Sequence, residues 1–373
     1  MVEATNGEDY GGAMELYCNK WNYFLQGSAV LAPDGAPRSE PSMTHALTPL
    51  DAHTQAKAPL LEVRDLSVRF GAVTAVSAVS FSVAKGEVYG VVGESGAGKS
   101  ATARAIIGLL PPTAQIGGSV RYKGEELVGA LPVRLRRARG AEIGYVFQDA
   151  LTALDPVRTI GAQLVEVLNV HRRVGGREGL EIAADLLAEL KINDPARALS
   201  AYPHQLSGGM RQRAVIAAAL IADPALIIAD EVTSALDVTV QRKVLDLLLG
   251  VCAARGAGVI LITHDLGVVA QTCDRVAVLY GGIVAEEADV FSLFDGPRHP
   301  YSDALLKSIP RMGDQGVFEP IPGSAIQVFG ALDACPFADR CAHVAADCRA
   351  GVPVPQTEGS TTYRCLHPLD NPV

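Results

Sequence analysis

Five short stretches between residues 93 and 264 carry side chains suited to one kind of chemistry. Gly93-Glu-Ser-Gly-Ala-Gly-Lys-Ser100 fits the pattern G-x-x-x-x-G-K-[ST], in which glycines let successive backbone N–H groups turn inward around an anion. Gly93, Glu94, Ser95, Gly96, Ala97, Gly98 and Ala101 would line that cradle, Lys99 would add a point charge, and Ser100 would offer a hydroxyl to Mg²⁺. Leu226-Ile-Ile-Ala-Asp-Glu231 is an apolar strand ending in two carboxylates. Asp230 suits a metal ligand, direct or through water, and Glu231 suits polarisation of an attacking water. Gln148 can present its amide to Mg²⁺ or to a γ-phosphate, and His264, ending the run Ile262-Thr-His, can donate to that phosphate or orient water. These groups meet the needs of phosphoryl transfer to water: charge neutralisation, an in-line water and a group that orients it, with no covalent intermediate. A carboxylate pair can instead cap a following helix, and a lone histidine is by default structural. The order of five motifs along one chain weighs against both.

The elements that must hold these residues are legible around them. Leu61–Leu66, Ser67–Phe70 and Val79–Val83 alternate as half-exposed antiparallel strands do. Val88–Val92 is an apolar strand running straight into the glycine-rich loop, and Ser100–Leu110 reads as a helix stopped by Pro111-Pro112. Helical spacing at Leu164–Leu168 and Leu180–Leu190, broken at Gly175-Gly176, predicts a helical insertion over about 150–222. Ala225–Ala229 and Val259–Ile262 are short apolar runs typical of buried parallel strands. Across 373 residues, 49% are hydrophobic and only 5% aromatic, which fits an α/β fold with a covered parallel sheet. No apolar run approaches the roughly 20 residues of a membrane helix. The net charge of −9 argues against a nucleic-acid binder, which needs a basic face. The basic run Arg134–Arg139 reads as the solvated face of a helix.

Leu206-Ser-Gly-Gly-Met210, between the glycine loop and the acidic strand, is narrower than the loop itself, and with it the chain resembles the nucleotide-binding subunits of ABC transporters. That resemblance implies an ABC-type P-loop NTPase fold: a RecA-like parallel-sheet core, an antiparallel β-subdomain and an inserted helical subdomain, over 59–290. It also implies ATP and Mg²⁺ as cofactors, with Ser100, Gln148 and Asp230 at the metal. Ser207, Gly208 and Gly209 would close over the nucleotide of a second subunit, so two chains would sandwich two ATP molecules head to tail. Ser234-Ala-Leu-Asp237 resembles the loop through which such halves communicate. Phe70 either stacks on adenine or is a core residue at a strand end.

From Leu60 to about Leu369 the likeness narrows to the ATP-binding subunits of oligopeptide/dipeptide importers. It is carried by Gln148-Asp-Ala-Leu-Thr-Ala-Leu-Asp-Pro156, by Ser207-Gly-Gly-Met-Arg-Gln-Arg213 and by Arg298-His-Pro-Tyr-Ser-Asp-Ala-Leu-Leu306, followed by a cysteine-rich extension over 291–373. Implied partners are a second, paralogous ATPase subunit in a heterodimer, two membrane permeases and an extracytoplasmic solute-binding protein, placing the chain peripherally on the cytoplasmic face of the membrane. Alternatives are a related solute such as nickel, or a soluble ABC ATPase of translation or repair. The two-domain chain with a charged linker and the long coiled coils of those soluble proteins are missing here. Asp230-Glu-Val-Thr departs from the family's Asp-Glu-Pro-Thr, which predicts a looser turn at Val232.

Cys335, Cys341, Cys348 and Cys365 are spaced C-x5-C-x6-C-x16-C. Four converging thiolates mean zinc or iron–sulfur, and the loops are wider than the usual zinc knuckle. A [4Fe–4S] cluster, which the family resemblance also implies, is the expectation, with Zn²⁺ the alternative. Residues 1–58 mix Gly, Pro, Ser and charge without periodicity and without an export signal, which predicts a disordered tail on a cytosolic protein. Trp21-Asn-Tyr-Phe24 within it is either a docking patch or the product of an upstream start, since a start at Met43 would leave the recognisable domain intact, and Cys18, Cys252 and Cys273 read as ordinary thiols.

Overall fold

The computed structural model describes residues 59–232, 238–308 and 320–370; the expected tail over 1–58, with Trp21-Asn-Tyr-Phe24 and Cys18, and the Ser234-Ala-Leu-Asp237 segment lie outside the described residues. Val88–Val92 sits inside an eight-stranded sheet, parallel to Gly258–Ile262 on one side and to Arg275–Tyr280 on the other. Leu226–Asp230 and then Ile143–Val146 extend the parallel part. These strands are buried along nearly all their length, the reason their sequences are continuous apolar runs rather than alternating ones. Beyond Arg275–Tyr280 the sheet continues antiparallel through Ile283–Asp289, Thr361–Tyr363 and Gln356–Glu358.

A second, antiparallel sheet of five strands centres on Leu61–Phe70, flanked by Val73–Val83 and Ala114–Tyr122, with Glu125–Glu126 and Val328–Phe329 at its edges. The two strands expected over 61–70 are one. Burial falls on Leu61 and Val63, then shifts phase to Leu66 and Val68. A bulge absorbs the slip: the register jumps between Arg64 and Ser67, and Asp65 takes a φ of 49°. Opposite lies Gly118, whose backbone runs so close that a Cβ would stand 2.4 Å from the Asp65 carbonyl oxygen.

The helix after the glycine loop spans Lys99–Ile106, four residues short of the expected Leu110. Gly108 turns the chain with a φ of 64°, and the Arg139 guanidinium donates to the Ile107 and Gly108 carbonyls. The basic run is therefore only partly a solvated face. Arg139 caps a helix end, Arg134 bridges Glu125 and Glu142, and Arg136 and Arg137 remain exposed. In the helical insertion, Ile160–Arg172, Gly176–Glu189, Pro195–Ser200 and Gly208–Leu220 bury Leu164, Leu168, Leu187 and Val215 among them. Residues after 290 add strands to both sheets, Thr361–Tyr363 and Gln356–Glu358 to the eight-stranded one and Val328–Phe329 to the five-stranded one.

Gly118→Ala forces a Cβ against backbone atoms that cannot rotate away, at a φ of 88°. It should lower unfolding free energy by about 2–4 kcal/mol in urea titrations. Gly117→Ala, with nothing within 4 Å of the added carbon, should cost far less.

Candidate active site

The glycine loop, Gln148, the Asp230-Glu231 pair and His264 all follow the carboxyl ends of neighbouring parallel strands, where open α/β sheets leave a crevice for ligands. Leu226–Asp230 and Val88–Val92 are separated by Gly258–Ile262, yet their ends meet directly: the Ser100 hydroxyl donates to Asp230 Oδ1 at 2.8 Å. Asp230 is 1% exposed, and its second oxygen accepts from the Tyr145 hydroxyl at 2.6 Å. Burial, then the neighbouring Asp230 charge, pushes the Tyr145 pKa up, so the phenol stays a donor. Tyr145 is not among the residues expected from the sequence; its place on the Ile143–Val146 strand, three residues before Gln148, was the available signal.

Glu231 lies just past the strand end with a φ of 46°, in the left-handed region, and its amide donates to the Ile262 carbonyl at 3.0 Å. Strain of this kind persists where surrounding contacts over-determine it. The Gln148 amide donates to Glu231 Oε2 at 2.8 Å, so the two polar groups expected around a γ-phosphate already touch. Val232, where a looser turn is expected, has its side chain 3% exposed in the core, and the segment 233–237 that follows lies outside the described residues.

Lys99 is 5% exposed and donates to the carbonyls of Gly93, at 2.8 Å, and Glu94, at 3.0 Å. Burial holds its pKa below the ordinary lysine value, while the Glu231, Asp230 and Glu94 carboxylates pull it back. The loop glycines are needed sterically. Gly93 and Gly98 have φ of 146° and 101°, and a Cβ on either would lie 2.2 or 2.4 Å from the Leu279 or Ala75 carbonyl oxygen. The cradle presents amides and one ammonium beside a buried carboxylate, which is an arrangement for a phosphate chain with its cation.

The remaining expected residues are spread around this centre. His264 is exposed past the end of its strand, and Phe70 is half-buried at a strand end against the antiparallel-sheet core. Ser207 is exposed and caps the Gly208–Leu220 helix, its hydroxyl accepting from the Met210 amide at 3.3 Å; its hydrogen bonds are local. That helix opens outward with Gly208 exposed, an N-terminus available to an anion from outside.

The four cysteines of the extension gather without a disulfide. Cys348 and Cys365 are buried, Cys335 and Cys341 half-buried, and the Cys335 amide donates to the Cys348 carbonyl at 3.0 Å. Burial pushes the Cys335 and Cys341 thiols up, and that of Cys365 to about 11. Backbone amides are aimed at the sulfurs: Phe337 and Ala338 towards Cys335, His343 towards Cys341 at 3.3 Å, and His367 towards Cys365. Among the described residues, the grouping whose ligand atoms all fall within 4.8 Å is Asp347, Cys348 and His367 rather than the four thiols.

Comparison with known proteins follows the same division of the chain. A family model described as ABC transporter matches residues 76–234, and one described as Oligopeptide/dipeptide transporter, C-terminal region, matches 285–348. The oligopeptide transport ATP-binding protein OppD of Mycobacterium tuberculosis is 49% identical over 302 residues, 79% of this chain and 49% of that protein. The chain thus spans about half the length of that relative. A probable peptide ABC transporter ATP-binding protein of Sinorhizobium fredii is 46% identical over 303 residues, covering 79% of this chain and 90% of its own. The dipeptide transport ATP-binding protein DppD of Bacillus subtilis is 46% identical over 289 residues, with 76% and 86% covered. Among solved structures, a dimeric ATP-binding cassette in a post-hydrolysis state with ADP and Pi matches with a TM-score of 0.55 at 29% identity, over 62% of this chain and 98% of that one.

Tyr145→Phe removes one of the two donors that orient Asp230 and leaves the sheet intact. The Mg²⁺ concentration giving half-maximal binding of a fluorescent nucleoside triphosphate should rise about 3- to 10-fold, the equivalent of one hydrogen bond.

Proposed function

The chain belongs to the ABC transporter family of ATP-binding proteins, and on that premise we propose that it is the ATP-hydrolysing subunit of an importer for di- and oligopeptides. It would drive transport by closing on a second such subunit against two membrane permeases. The observation that carries the catalytic part is the linked set Ser100–Asp230 and Gln148–Glu231, at 2.8 Å each, beside the buried Lys99. In this reading Lys99 bridges the β- and γ-phosphates, and Ser100, Asp230 and Gln148 hold Mg²⁺ directly or through water. Glu231 takes a proton from a water whose oxygen attacks the γ-phosphorus as the bond to the β,γ-bridging oxygen breaks and ADP leaves. His264 orients that water or the γ-phosphate, and Phe70 stacks on adenine. Ser207, Gly208 and Gly209 close over the partner's nucleotide, a role supported by the exposure of Ser207 and Gly208 at a helix N-terminus.

The peptide part rests on the match of residues 285–348 to the transporter C-terminal region and on the names of the relatives. A solute-binding protein and the permeases would select the peptide. No helix among the described residues is long and apolar enough to cross a membrane, so permease contact would hold the subunit at the cytoplasmic face.

We further propose that Cys335, Cys341, Cys348 and Cys365 hold a [4Fe–4S] cluster. A closed zinc site needs four sulfurs about 3.8 Å apart, from Zn–S bonds of about 2.3 Å, whereas no three of these thiols lie within 4.8 Å of one another. Amides directed at sulfur suit thiolates bound to iron, and thiols whose pKa burial raises need a cation to ionise. Its role would be structural, fastening an extension with little regular secondary structure.

Two measurements check these assignments. Glu231→Gln should retain MgATP binding, lower phosphate release by at least about 100-fold and fail to restore labelled tripeptide uptake to cells lacking the chain. Phosphate release near wild type would reject Glu231 as the catalytic carboxylate. Anaerobically purified protein should be brown and contain iron and sulfide, with Cys341→Ser depleted of both. About one zinc per chain with no iron would replace the cluster by a zinc site.

A further inference from the structure

Glu94, the second residue of the phosphate loop, is gripped from two sides by the C-terminal extension. Its amide donates to the Tyr301 hydroxyl at 3.0 Å. Its carboxylate accepts both terminal nitrogens of Arg340, Nη1 to Oε2 at 2.5 Å and Nη2 to Oε1 at 3.0 Å. Such paired guanidinium–carboxylate bonds fix direction as well as distance. Arg340 is itself held: its side chain is 7% exposed, Nε donates to the Pro322 carbonyl at 2.6 Å, and Nη1 also reaches the Tyr280 hydroxyl at 3.1 Å. Tyr301 is seated the same way. The buried Glu286 carboxylate accepts the Arg298 and His299 amides, at 2.7 and 2.9 Å, at the start of the Pro300–Lys307 helix that carries Tyr301.

From this geometry we infer that Arg340 is a positioning residue for the nucleotide: it holds Glu94 in place and cancels a carboxylate charge at the mouth of a site built for a polyanion. The positional half follows from Glu94's own carbonyl, which accepts from Lys99 at 3.0 Å, so displacing Glu94 displaces the ammonium. The electrostatic half follows from proximity, since the Glu94 charge is felt at Lys99 and an unpaired carboxylate there would repel incoming phosphates. The extension would then act on ATP affinity rather than on the chemical step, because Arg340 touches none of Asp230, Glu231 or Gln148.

The inference rests on the nucleotide-binding half of the proposed function and on neither peptide import nor the cluster. MgATP affinity and the ATPase KM and kcat are measured on the full chain for Arg340→Ala, Glu94→Ala, the double variant, and Arg349→Ala. Arg349→Ala breaks an exposed ion pair with Asp339 in the same extension and serves as the control. Arg340→Ala should weaken MgATP binding and raise KM on the order of tenfold, with kcat at saturating ATP within about twofold. Removing the stranded carboxylate in the double variant should recover most of that loss, and Arg349→Ala should bind as wild type. Arg340→Ala binding as tightly as wild type would overturn the inference. So would a double variant no better than Arg340→Ala with a matching drop in melting temperature, which would make the contact a fold anchor alone. Wild-type protein that binds no ATP would instead bring down the nucleotide reading itself.

Discussion

Asp230 is a carboxylate with 1% of its surface exposed, and the carboxyl end of the parallel sheet is arranged around giving it hydrogen-bond donors there. Isolating such a group from water costs several kcal/mol unless donors replace the solvent. Ser100 and Tyr145 supply one donor to each oxygen, and Lys99, 5% exposed, adds a counter-charge within Coulomb reach. Ser100 and Lys99 open the helix that follows Val88–Val92 and Tyr145 belongs to Ile143–Val146, so the carboxylate is satisfied only when these strands and Leu226–Asp230 lie in register. The apolar sheet beneath sets that register, and the buried charge site is what the register makes possible.

Glu231 shows a second use of the same scaffold. Its left-handed backbone carries an unfavourable conformation, held by the hydrogen bond that its amide donates to the Ile262 carbonyl, next to Val232, which is packed into the core. Where a proline ring would restrict the backbone, the chain has Val232, a side chain buried in the core. The carboxylate is aimed out of the strand line towards Gln148 as a result.

Much of this was legible in the sequence because the signals are local. A phosphate loop needs its glycines where φ turns positive, and parallel strands buried on both faces must be apolar throughout, so motifs and their strands announce themselves together. Where local pattern was ambiguous the reading slipped: the phase change at Asp65 looked like a strand break and is a bulge, and Arg139 looked solvated because its partners, Ile107 and Gly108, lie some thirty residues away. Glu94 and Arg340 are the extreme case. They are 246 residues apart, and neither sits on a periodic element that could betray the other.

That separation has a consequence during synthesis. Translation at about 5–20 residues per second delivers Arg340 roughly 12–50 s after Glu94, and the Thr361–Tyr363 strand later still. A nascent chain would therefore display the segment 93–100 long before the guanidinium that pairs with Glu94 has left the ribosome. On the inference that Arg340 positions the nucleotide, an unfinished chain would bind ATP less tightly than a finished one.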